Sequence, residues 1–145
     1  MARELRGGCA LVTGAGHRVG RAIAVALGAR GMRVAVHYRG AADGARETVR
    51  LIESFGGAGE TFAADLAAPD APAALVAGVH ARFGALDLLV NSAAVMERTP
   101  IGEVTVAQWD AMFALNLRAP FFAAQAAAAV MGEGGAIVNI ADLAA

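Results

Sequence analysis

Three glycines in "LVTGAGHRVGRA", residues 11–22, stand at 14, 16 and 20. Glycines clustered where a strand hands over to a helix let the backbone come close to a pyrophosphate. The free amides and the dipole of the helix start favour its charge. The common dinucleotide spacing G-x-G-x-x-G would put its last glycine at 19, where this chain has Val19. His17 and Arg18 sit inside the loop instead. Three readings follow: a degraded nucleotide loop, a loop of another kind, or a tight turn without a ligand.

Further polar groups stand at the ends of other apolar runs. His37-Tyr38-Arg39 closes one run, Asp65-Leu66 a second and Asn91-Ser92-Ala93 a third. Dinucleotide folds that grip an unphosphorylated ribose place Asp or Glu about 20 residues beyond the first glycines. No carboxylate follows here until Asp43. Arg39, with His17 and Arg18, would instead suit a 2′-phosphate, because planar cationic donors match phosphate oxygens. The alternative is a solvated Arg39 on a loop. Asp65 could accept from an adenine amino group or serve as a turn residue. Asn91 ends a very apolar run and Asn116 interrupts another. Each is either a satisfied structural amide or part of a site, since a buried amide needs partners. Asp142 follows the last apolar run and is either a surface residue or a functional one.

The elements that must position these groups alternate in type. Apolar runs at 9–14, 32–38, 60–66, 86–91 and 136–140 predict buried strands. Three-four spacing of apolar residues predicts helices over 18–31, 43–57 and 70–84, with glycines as stops and proline in the first turn of the third. Residues 105–131 predict one long helix, bent by Pro120. Continuous apolar strands alternating with helices indicate an α/β fold, a doubly wound parallel sheet of Rossmann type covered on both faces. Its first half should have strand order 3-2-1, with later strands on the other side of strand 1. Ligands bind such sheets at the carboxyl ends of the strands, where the order reverses.

At 145 residues the chain suits a single dinucleotide-binding domain. A formal net charge of −1 gives no broad electrostatic footprint for nucleic acid. The longest apolar stretch, 119–131, is shorter than the roughly 20 residues that span a bilayer, so no membrane partner is expected. The N-terminus "MARELRGG" is too charged for a signal peptide. One cysteine, Cys9, allows no intrachain disulfide and reads as a small core residue. A cytoplasmic location is expected, and no metal ligands are singled out.

Taken together, these motifs resemble the short-chain dehydrogenase/reductase family across essentially the whole chain. That family's loop is T-G-x-x-x-G-x-G, here Thr13-Gly14-x-x-x-Arg18-x-Gly20. "NSAA" at 91–94 is similar to its N-N-A-G strand end, Asn116 to its long-helix asparagine, and "GGAIVNIAD" at 134–142 to its G-x-I-V-N-I-S-S segment. The resemblance implies NADP(H) held by Gly14, His17, Arg18, Val19, Gly20, His37, Tyr38, Arg39, Asp65, Leu66, Asn91, Ser92 and Ala93. It also implies catalytic parts for Asn116 and Asp142, a small-molecule substrate with a C=O or C=N bond, and a homo-oligomer for an intact chain. Arg18 in place of the middle glycine, "HYR" after the second strand, and Asp142 in place of the usual serine resemble the pteridine reductase branch. The family's Tyr-x-x-x-Lys pair is absent. The only tyrosine is Tyr38, there is no lysine, and the chain stops three residues after Asp142. The expectation is a reductase fold lacking its C-terminal strands and helices, as a truncated chain or a fragment. The alternatives are an inactive NADP-binding module, or a piece that neither binds nor reacts.

Overall fold

A computed structural model describes residues 5–142. In chain order the elements are β1 (Cys9–Val12), α1 (Arg18–Ala29), β2 (Arg33–Tyr38), α2 (Ala42–Ser54), β3 (Ala58–Ala63) and α3 (Ala71–Phe83). There follow β4 (Leu88–Asn91), α4 (Val106–Phe113), a π-helical turn (Ala114–Arg118), α5 (Ala119–Val130) and β5 (Ala136–Asn139). The strands form one parallel sheet in the order β3-β2-β1-β4-β5. The doubly wound Rossmann-type fold is therefore present, and strand order reverses between β1 and β4.

Alternation along the strands divides the core. Leu11, Ala35 and Leu89 face α3 and α5, where they meet Leu75, Val76, Val79, Ala119, Ala123 and Ala127. Ala10, Val12, Val34, Val36 and Val90 face the other way and pack with Ala24 of α1 and Ala45 and Ile52 of α2. A parallel sheet covered on both faces needs this two-sided apolarity. Small residues bring the helices close. A Cβ on Gly28 would lie 2.5 Å from Ile52 Cγ2, so α1 and α2 touch through that glycine. Cys9 is buried at the start of β1, and burial pushes its thiol above the ordinary value.

Several boundaries differ from expectation. β1 stops at Val12 rather than 14, because Gly14 takes a positive φ and turns the chain out of the strand. Helix α2 stops at Ser54, and Gly56 in the left-handed region turns the chain, so β3 begins at Ala58 rather than 60. The single long helix expected over 105–131 is three segments. Pro120 has no amide proton, and its ring would clash with the carbonyl four residues back, that of Asn116. The chain widens instead, and the Ala119 amide bonds the Ala114 carbonyl in a π turn. At its other end α4 opens with a capping box between Thr105 and Gln108.

Beyond β4 the core thins out. All four residues of β5 are exposed, and so are Trp109, Phe113, Phe121 and Phe122 on the last helices. Among the described residues no helix is long and apolar enough to cross a membrane. Leu11 lies at the centre of one core face with no exposed surface. Leu11→Ala should therefore lower unfolding stability by about 2–5 kcal/mol in urea titration. A change below about 1 kcal/mol would mean that the sheet is not packed as described.

Candidate cofactor-binding site

The site begins with the turn between β1 and α1. Gly14 adopts φ +65, and a Cβ there would lie 2.8 Å from Ala93 Cα on the loop after β4. A Cβ on Gly20 would lie 2.4 Å from the Gly14 carbonyl oxygen. Both contacts are with backbone, which has no rotamer through which to escape. The two glycines at 14 and 20 are therefore needed by the turn's own closure. The offset spacing marks a loop of another kind, not a degraded one.

Side chains fix this turn from three directions. The Thr13 hydroxyl accepts from the Ser92 and Ala93 amides at 2.9 and 3.0 Å, tying β1 to the loop after β4. The Thr48 hydroxyl donates to the Ala15 carbonyl at 2.8 Å. Arg21 donates from Nε to Thr48 and from one terminal nitrogen to the Gly16 and Gly44 carbonyls, fastening the loop to α2. The third fixture is His37. Its Nδ1 accepts from the Gly14 amide at 3.0 Å, and its Nε2 lies 3.0 Å from the Ala64 carbonyl. Burial pushes the imidazole below its usual value, outweighing the Ala64 carbonyl and Asp65, which both favour the cation.

These fixtures frame a cleft of about 360 Å³ at the carboxyl ends of the strands, beside the order reversal. Gly14 and His17 of the first turn line it, with His37, Tyr38 and Arg39 at the end of β2. Asp65 and Leu66 after β3 and Ser92 and Ala93 after β4 complete the expected set. Gly16, Gly40, Ala41, Ala64, Ala94, Val95 and Leu115 also line it. The small residues among these carry no reactive group and so gave no signal in the sequence. Among the described residues the side chains of His17, Arg18 and Arg39 carry no hydrogen bond or ion pair, so their donors are available.

Not every expected residue reaches the cleft. Asn91 does not line it. Its amide donates to Asn139 Oδ1 at 2.9 Å and to the Pro120 carbonyl at 3.4 Å, linking β4, β5 and α5. It is a satisfied structural amide, as its burial beside an equally placed strand residue requires. Arg18, Val19 and Gly20 also lie off the cleft wall, in the first turn of α1. Arg18 has φ 49, a left-handed conformation that favours glycine. His37 lines the cleft, but both ring nitrogens are engaged by the protein's backbone. Asp65 accepts the Ala67 amide at 3.1 Å in a turn of the chain.

Asn116 sits in the π turn, and its amide pairs with both backbone groups of Val95, at 2.9 Å and 2.7 Å. It thus clamps the rim of the cleft, since Val95 is part of the wall. Asp142 is exposed and follows β5, which runs parallel to the others. It follows the carboxyl end of its strand, the same end of the sheet as the glycine turn. Among the described residues no group of three or more His, Cys, Asp or Glu could hold a metal ion.

The arrangement fits a phosphate-bearing dinucleotide on its own geometry. Glycines keep side chains out of the turn, helix amides point from it, and basic donors stand at the end of β2. Comparison with known proteins agrees. The family model for short chain dehydrogenase matches residues 8–145. Versicolorin reductase 1 of Aspergillus parasiticus (strain ATCC 56775 / NRRL 5862 / SRRC 143 / SU-1) is 40% identical over 93% of this chain and 52% of its own length. Among solved structures, landomycin C-6 ketoreductase LanV with bound NADP and rabelomycin is 45% identical with a TM-score of 0.87, over 94% of this chain and 58% of that one. A blue fluorescent protein from a metagenomic library, in complex with NADPH, is 35% identical with a TM-score of 0.91, over 97% and 58%. The chain thus spans about half the length of the curated relatives it matches. With the family model matching residues 8–145 and a solved relative 45% identical over 94% of the chain, this chain belongs to the short-chain dehydrogenase/reductase family.

Proposed function

We propose that the cleft takes NADP(H) and that the chain is the cofactor-binding part of a reductase acting on a small molecule. One observation carries this reading. His17 and Arg39 line the same cleft as the glycine turn with no partner among the described residues, where an NAD-selective site would present a carboxylate. Arg18 supports it from just outside the wall. A non-glycine residue kept at φ 49 is strained, and such strain persists where the side chain is used.

Bound NADPH would supply the hydride for a C=O or C=N bond. The chain's own residues bind and orient. The Gly14 and Gly20 turn and the α1 amides would hold the phosphates, and Tyr38, Asp65 and Leu66 would bracket the adenosine end. Ser92 and Ala93 would line the far wall. Asn116 serves as a positioning residue through Val95, and Asp142, at the same carboxyl end of the sheet, would orient the substrate or a proton donor. A ketone is the favoured substrate, supported by the ketoreductase to which this chain is 45% identical. A pteridine C=N is the second reading, supported by Arg18 and Asp142 at positions where the family usually has glycine and serine. A homo-oligomer is supported by the exposed aromatic residues of α4 and α5.

Arg39→Ala should weaken NADPH binding about 10- to 100-fold, the loss of one or two charge-assisted hydrogen bonds, while leaving NADH binding within about threefold. Fluorescence titration of both cofactors reads the difference. Equal losses for the two would remove the 2′-phosphate assignment. Gly14→Ala should abolish binding of both cofactors, because the new Cβ meets Ala93 backbone at 2.8 Å. Retained affinity in that variant would show that the turn is not the phosphate site.

A further inference from the structure

His37 was expected to touch the cofactor, yet its ring is spent elsewhere. A carbonyl oxygen can only accept, so the Ala64 carbonyl requires a proton on Nε2. The Gly14 amide can only donate, so it requires a bare Nδ1. The two partners together demand one species, the neutral Nε2–H tautomer. His37 grips the turn a second time through its backbone, whose carbonyl accepts from the Ala15 amide at 2.9 Å. Two consecutive amides of the glycine turn thus hang on one residue of β2. The residue is 2% exposed, so no water can replace the ring readily.

We infer that His37 is a positioning residue whose neutral ring latches the glycine turn in its binding shape, so that protonating this ring releases Gly14 and weakens NADP(H) binding. Protonation would set an Nδ1–H against the Gly14 N–H, two donors face to face. Gly14 has little room to adjust, since it already packs against Ala93 and lies under Gly20. The ring's charge state is therefore transmitted to the turn rather than absorbed locally. The charged and titratable groups around the same cleft are His17 on the turn, Tyr38 and Arg39 at the end of β2, and Asp65 after β3. Asp65 favours the cation, but burial outweighs it and keeps the ring neutral. The sign for stability follows. The unfolded chain takes up this proton near pH 6.5 and the folded chain only at lower pH, so stability drops as pH falls below about 6.5 and levels off beneath the folded value.

This inference rests on the cofactor reading, and the test separates the two. The first measurement needs no cofactor. Long-range proton–nitrogen correlation of the purified protein at neutral pH should show His37 as the Nε2–H tautomer. An Nδ1–H tautomer would overturn the latch. The second measurement is NADPH affinity at about pH 8 and at the acid pH where the same spectra show the His37 ring protonated. The cofactor's 2′-phosphate also takes up a proton on acidification, so wild type is compared with His37→Asn, which offers Gly14 an acceptor that does not titrate. The acid weakening should be larger in wild type than in the variant, by the reciprocal of the fraction of turns still latched. Equal acid weakening in both proteins would overturn the inference. His37→Phe, which offers Gly14 no acceptor, should bind weakly at both pH values, and wild-type affinity in that variant would also overturn it. Absence of NADPH binding by wild type at pH 8 would sink the cofactor reading and the coupling with it, leaving the tautomer to decide the latch.

Discussion

A strand that passes into a helix through a short loop must reverse its chain with several amides left unpaired. Here the reversal is so tight that Gly20 has no room for a side-chain carbon above the Gly14 carbonyl. Everything else in the site follows from that closure. The turn cannot hold itself open, so its neighbours hold it: Thr13 from below, Thr48 and Arg21 from α2, and His37 from β2. Most of these bonds come from distant parts of the chain, and they are mutually consistent. The resulting loop is rigid before any ligand arrives, which lowers the ordering cost of binding.

The same logic explains why the cleft lies where it does. Strand order reverses between β1 and β4, so the crossovers leave in opposite directions and a gap opens between them. The Thr13 hydroxyl bridges the gap at its floor, bonding the amides after β4. Asn116 closes it at the rim by gripping Val95. The π turn that carries Asn116 exists because Pro120 denies it an ordinary helical partner. A helix irregularity thus becomes a clamp.

Much of this was legible in the sequence. The alternation of apolar runs with three-four patterns predicts the sheet and its order, because both periodicities follow from burial on one face or two. The offset glycines predict the turn, because only glycine tolerates those contacts. What escaped were features decided by partners far away in sequence. The role of His37 depends on Gly14 and Ala64, and nothing local distinguishes a ring that touches a ligand from one that braces a loop. Asn91, at the end of an apolar strand, reads equally as a structural amide or a site residue, and only the family resemblance assigns it to the cofactor. Its true partner, Asn139, stands opposite it in a strand 48 residues later. β3 starts two residues earlier than periodicity suggests because Gly56, at a positive φ, turns the chain directly into the strand.

The central claim is that basic groups beside the glycine turn select a phosphorylated ribose. The most direct measurement uses the smallest ligands that differ only there, adenosine 2′,5′-bisphosphate and adenosine 5′-monophosphate, titrated calorimetrically against the protein. The account predicts that the bisphosphate binds about tenfold tighter or more, from at least one charge-assisted hydrogen bond. It also predicts that NADPH displaces it. Equal affinity, or preference for the monophosphate, would contradict the account.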